Sequence, residues 1–217
     1  MMRLLWPAIL GGILLASSAQ AGPWLRSAGE GFLSFSIEAP VSEIGPSFAT
    51  TYLEYGLNKN VTLGFDLGGT QDDLYKAIVF AKMAFGSPDS PFKIAAELGV
   101  GTTEQEAVLR PGLSIGRGFS LGDRSGWMAV DTLARIEIDG GNMDITTDIT
   151  VGLNLGERTK VMVQLQSGHH LMNPEYLKLA PSFVYERKPG QHIELGALAG
   201  INNSEDLGLK IGLWQKF

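Results

Sequence analysis

The chain has 217 residues, 28 of them glycine and none cysteine, a formal net charge of -6 and a pI near 5.1. Without cysteine it is neither a small disulfide scaffold nor a carrier of a lipid-acceptor thiol. The acidic balance argues against a nucleic-acid partner, which needs a basic face.

The first stretch, MMRLLWPAILGGILLASSAQA, has a basic start at Arg3, an apolar run from Leu4 to Leu15, and Ala19 and Ala21 at the small-residue places of a cleavage site. This pattern predicts a secretory signal peptide over 1–21 and a mature chain of about 196 residues, one domain over 22–217. The run of about twelve apolar residues is shorter than the roughly 18 to 20 that a helical span requires. No later run is longer, so if the chain crosses a membrane, strands must carry it.

After Gly31 the apolar residues alternate with a period of two. VTLGFDLGG sets Val61, Leu63, Phe65 and Leu67 against Thr62, Gly64, Asp66 and Gly68, and ITTDITVGLNL repeats the pattern. Between turn signals the runs predict twelve strands, at 31–39, 47–57, 61–69, 74–86, 91–102, 107–119, 126–138, 143–155, 159–168, 175–187, 191–201 and 207–217. Eight strands would leave loops of about 20 residues that contain these same alternating runs, which argues against the smaller number.

The connections sort by parity. The even-numbered turns and their flanks hold Lys59, Arg124, Arg158, Lys160, Arg187 and Lys188 beside Asp89, Asp123 and Glu157. The odd-numbered loops hold Glu43, Asp72, Asp73, Glu104, Glu106, Asp139, Glu175, Glu205 and Asp206, with no Lys or Arg. Alternate turns of an up-and-down sheet lie at opposite ends, so the segregation predicts an acidic rim at one end and a basic rim at the other. Tyr55, Phe85, Phe92, Phe119, Trp127, Tyr185 and Phe217 fall near the basic end, as an interfacial aromatic girdle would.

One strand face is nearly free of charge. The opposite face carries Glu54, Asp66, Lys76, Lys82, Lys93, Glu97, Arg110, Asp131, Arg135, Glu137, Asp148, Gln164, Gln166, Lys178, Glu186, Glu194 and Lys210. In a water-soluble sandwich that face would meet solvent. In a membrane barrel it lines the lumen, and its near balance of acids and bases favours pairing, because an isolated buried charge is costly. Glycines such as Gly64, Gly116 and Gly152 recur on this face, either to make room for long neighbours or to keep a narrow pore open.

The last stretch, LKIGLWQKF, resembles the C-terminal signal of bacterial outer-membrane β-barrels, a final amphipathic strand ending in Phe. Leu209, Ile211, Leu213 and Phe217 occupy its apolar places, while Gln215 stands where that family usually has an apolar or aromatic residue. The resemblance implies recognition by the barrel-assembly machinery and closure of the last strand on the first. GPWLRSAGEGFLSFS, YLEYGLNKNVTLGFDL and LKLAPSFVYERKPGQHIELG further resemble outer-membrane transporter families of proteobacteria, including those attached to phenol-degradation pathways. That likeness implies passage of small, even hydrophobic, solutes and assigns no binding residue.

Catalytic groupings are few. Ser167 and His169 lie two apart, hence on one strand face, and with Glu175 they mimic the serine and histidine of outer-membrane lipid hydrolases; two interfacial histidines at a strand end give the same spacing. His169, His170 and Glu175 could serve a metal only where the chain has left the strand, so no metal is assigned. GLSIGRG lies inside an alternating strand with no following helix and is no nucleotide signature, and no cofactor is expected.

The expectation is an all-β, up-and-down antiparallel transmembrane β-barrel of about 12 strands in a Gram-negative outer membrane, in contact with its lipid and lipopolysaccharide. It would act as a passive channel for small solutes, with a lipid-modifying enzyme and a structural barrel with a plugged lumen as alternatives. The processed chain is expected to show heat-modifiable gel mobility; a monomer that stays dissolved in detergent-free buffer and runs alike before and after boiling would remove the barrel.

Overall fold

The computed structural model describes residues 22–41, 46–87, 89–170, 173–202 and 207–217. The expected leader, and Glu43, Glu205 and Asp206 of the expected acidic rim, lie outside the described residues.

Twelve strands account for most of the chain: β1 (Gly31–Pro40), β2 (Phe48–Asn58), β3 (Val61–Gly69), β4 (Leu74–Phe85), β5 (Phe92–Thr103), β6 (Glu106–Leu121), β7 (Arg124–Glu137), β8 (Met143–Asn154), β9 (Thr159–His170), β10 (Asn173–Lys188), β11 (Gln191–Asn202) and β12 (Leu207–Lys216). No boundary departs from its expected place by more than two residues. Each strand pairs antiparallel with its sequence neighbours, and β1 pairs with β12, so the sheet is a closed barrel. No helix among the described residues is long and apolar enough to cross a membrane.

Closure is set by register. Leu33 faces Gln215, Phe35 faces Leu213 and Ile37 faces Ile211. Beyond β12, Phe217 and Gly31 exchange main-chain hydrogen bonds, Gly31 N–H donating at 2.6 Å and Phe217 N–H at 3.0 Å. A Cβ at Gly31 would stand 2.2 Å from the Phe217 ring. Only glycine lets that terminal ring lie across the first strand, which is how the last residue helps to seal the seam.

Leu98, Val100, Val79, Phe65, Ile211 and Leu213 stand about half exposed on the outer wall, and Tyr55, Phe85, Phe92, Tyr185 and Phe217 ring its basic end. This is the lipid-facing band and girdle of a membrane barrel. Trp127 is a correction to the girdle: it is 4% exposed and points into the barrel. Its parity decides this, because Trp127 shares a face with Asp131 and Ala129, and Gly152 on β8 gives its ring the room.

Trp127 belongs to an apolar cluster inside the barrel with Phe32, Met162, Val184 and Trp214, against which Trp24 and Tyr52 pack. Trp24 comes from an irregular segment, residues 22–30, that turns back into the lumen. Gly29 N–H donates to the Gly56 carbonyl at 2.8 Å, and Gly56 N–H donates to that of Glu30 at 2.9 Å. Pro23 and the Trp24 ring rest on Gly116, where a Cβ would lie 2.7 Å from each. Gly116 and Gly152 of the inner face thus make room for large neighbours.

A methyl-bearing residue at Gly152 would place its Cβ 2.1 Å from Trp127. Gly152→Val is expected to cost about 1–3 kcal/mol through overpacking, lowering the urea midpoint of the folded gel band. Gly156→Val, with nothing within 4 Å of the added carbon, should not shift it.

Candidate functional site in the barrel lumen

The inner wall from β2 to β6 carries a connected ion network. Glu54 on β2 is fully buried; its Oε1 accepts from Lys82 Nζ and from the Tyr52 hydroxyl, each at 2.8 Å, and its Oε2 from Arg26 at 2.6 Å. Arg110 on β6 joins Asp66 at 2.5 Å to Glu97 at 2.8 Å, and Lys76 forms an ion pair with the other oxygen of Asp66 at 2.8 Å. Lys82 also lies 3.9 Å from Glu97. Period-two alternation places Glu54, Asp66, Lys76, Lys82, Glu97 and Arg110, each at an inner position of its strand, while Arg26 enters from the irregular segment before β1. Charges taken out of water are stable here because each has a partner of opposite sign with shared protons.

The other expected inner residues occupy the remaining wall and its ends. Lys210 bridges Glu194 at 3.3 Å and Glu38 at 4.0 Å. Arg135 pairs with Asp144 and lies 3.7 Å from Glu104, and Glu137 accepts from the Asn142 amide at 2.7 Å. Gln166 donates to Gln164 at 2.8 Å, Lys178 sits over the Tyr176 ring, and Glu186 accepts from Gly190 N–H. Lys93 lies opposite Gly116 on β6.

Between the two walls is a chamber of about 210 Å³. Five carboxylates line it, Asp66, Glu97, Asp131, Asp148 and Glu194, against three cations, Lys82, Arg110 and Lys210. Phe32, Tyr52, Met162 and Trp214 supply its apolar part. Each of the three cations is committed to a carboxylate. Asp131 and Asp148 face each other across β7 and β8, and no ion pair with either is found among the described residues. Like charges directly opposite repel. Ser114 lies opposite Asp131, and the Gln164 amide donates to Asp148 at 3.4 Å, so the pair has polar neighbours in place of a close ion pair.

Of the expected acidic rim, Asp72, Asp73, Glu104, Glu106, Asp139 and Glu175 lie exposed at the end of the barrel opposite the termini. Glu104 and Gln105 both have positive φ, 53° and 70°, and close β5 to β6 in a two-residue turn. The expected catalytic grouping is only partly assembled. His169 Nδ1 lies 2.9 Å from Glu175 Oε1, both exposed, while the Ser167 hydroxyl donates to the Thr147 carbonyl at 3.1 Å. Among the described residues no group of three His, Cys, Asp or Glu is placed to hold a metal ion.

Sequence reasoning did not place Arg26, Pro23 and Trp24 in the lumen. GPWLRSAGEG has no periodicity, so nothing in it assigns a face to Arg26. The one signal is an unmatched acid, because the charged inner face has eight acids and seven bases, and Arg26 supplies a guanidinium to Glu54.

The architecture is that of outer-membrane porin-type barrels. Structures similar to it are a KdgM porin (TM-score 0.64, 11% identity, 86% of this chain and 99% of that one) and a NanC porin (TM-score 0.63, 12% identity, 85% and 100%). A third is the COG4313 outer membrane channel from Pseudomonas putida F1 (TM-score 0.55, 11% identity, 89% and 97%). No protein-family model and no curated protein sequence matches the chain.

Truncating Glu54 would leave Arg26 and Lys82 buried beside an empty space. Glu54→Ala is expected to cost about 3–5 kcal/mol, the scale for breaking a buried ion pair from one side. Unfolding by urea from lipid vesicles, followed by Trp fluorescence, reads this directly.

Proposed function

We propose that the protein is a passive outer-membrane channel for small solutes, with a preference for cations and for uncharged amphipathic molecules over anions. The observation that carries this reading is the chamber, in which Asp131 and Asp148 lack the close ion-pair partner that every other lining carboxylate has. An acidic mouth supports it, since fixed charges at an entrance raise the local concentration of ions of opposite sign. One similar structure is described as a KdgM porin in complex with disordered oligogalacturonate. A polyanion of that kind would meet two carboxylates without ion-pair partners here, so the proposed solute class differs.

On this reading the signal peptide over 1–21 directs export, the barrel-assembly machinery inserts the chain through Leu209, Ile211, Leu213 and Phe217, and both termini face the periplasm. The acidic loops then face outward, where divalent ions can bridge them to lipopolysaccharide phosphates.

A second reading, a structural barrel with a plugged lumen, is favoured by the packing of residues 22–30 and the apolar cluster across the terminus-bearing half. Planar-bilayer recordings separate the two. The channel reading expects measurable conductance with a cation-selective reversal potential, a severalfold smaller cation preference in the double variant Asp131→Asn and Asp148→Asn, and higher conductance in Trp24→Ala. Anion selectivity, or silence in both the parent and Trp24→Ala, would overturn it.

A further inference from the structure

The outer wall has a hollow of about 510 Å³ at the closure seam, within the roughly 300–1,000 Å³ usual for small-molecule sites. Its apolar walls are Leu33 and Phe35 of β1, Ile193 of β11 and Leu213 of β12. Its end toward the termini is polar, made by Arg187, Gln191 and Gln215. Gln215 is the residue that departs from the usual terminal-strand pattern. In register it lies between Leu33 and Gln191, so an amide replaces the side chain that would fill the wall at this height.

The chemistry of the hollow is directional. Leu213 is 55% and Phe35 39% exposed, in the band that meets hydrocarbon. At the other end, Arg187 Nη2 donates to Gln191 Oε1 at 3.3 Å, the one hydrogen bond found for its guanidinium among the described residues. Arg158 fixes the backbone beneath it by donating to the Glu186 and Arg187 carbonyls at 2.9 and 2.7 Å. A guanidinium held this way keeps N–H groups free in the fork that suits a phosphate. No carboxylate lines the hollow, and Lys188 lies next in the chain.

We infer that this hollow is a binding site for one anionic phospholipid, its acyl chain along Leu33, Phe35, Ile193 and Leu213 and its phosphodiester on Arg187. A headgroup of net negative charge is favoured over a zwitterionic one because the rim offers only positive charge and amides. Gln191 and Gln215 provide further donors for the ester and glycerol oxygens. The lipid would span β11, β12 and β1, and so would cover the seam from the membrane side.

The test uses the refolded mature chain in detergent micelles with equimolar dioleoylphosphatidylglycerol and dioleoylphosphatidylcholine, with lipids retained by the heat-modifiable, folded fraction counted by native mass spectrometry. One phosphatidylglycerol per barrel is expected, at roughly tenfold preference over phosphatidylcholine, the scale of one charge-assisted contact. Arg187→Gln should abolish the preference. Gln215→Phe, which fills the hollow with the residue type usual there, should lower retention of the lipid while the band stays heat-modifiable. Arg124→Gln, another cation at the same end of the barrel but away from the hollow, should leave both unchanged. Equal retention of the two lipids, a preference that survives Arg187→Gln, or an equal loss in Arg124→Gln would overturn the site.

Discussion

A main-chain amide facing hydrocarbon has no water to bond, and each one left bare costs several kcal/mol. A sheet can meet that demand only by having no edge. Here the demand is met by the pairing of β1 with β12 and, beyond the last strand, by the two hydrogen bonds between Gly31 and Phe217. Everything else follows from that cylinder. Alternation sends leucines and isoleucines to lipid, and the same alternation sends Glu54, Lys82 and Arg110 to a common interior where they can neutralise one another.

Strand number and position could be read from the sequence because period-two alternation and turn chemistry are local, and each strand obeys them without reference to the others. The inner face could be read for charges, since an ionised side chain has only one tolerable side in a membrane barrel. The same rule is silent about Phe32, Trp127, Met162, Val184 and Trp214, which are apolar on both accounts. In GWMAV and GLWQKF the inward tryptophan adjoins outward apolar residues, and the run loses its alternation. The segment carrying Pro23, Trp24 and Arg26 was beyond reach for a different reason: its fold is dictated by the cavity it enters, and neither pattern nor propensity records that cavity.

The interior combines two electrostatic regimes. On one side, carboxylates and cations are matched so closely that Glu54 is wholly buried. On the other, Asp131 and Asp148 face each other with no ion pair to either among the described residues. The first regime gives the wall its rigidity, because moving any member uncovers a charge. The second places two facing carboxylates without ion-pair partners on the wall of the inner chamber.

The ion network is assembled from consecutive strands. Lys82 stands 28 residues from Glu54, Arg110 stands 13 from Glu97, and Asp66 is 44 from Arg110. During insertion, the hairpins from β2 to β6 therefore bring their own counter-ions with them, and a half-built arc need not drag a naked charge through the bilayer while it waits for the later strands.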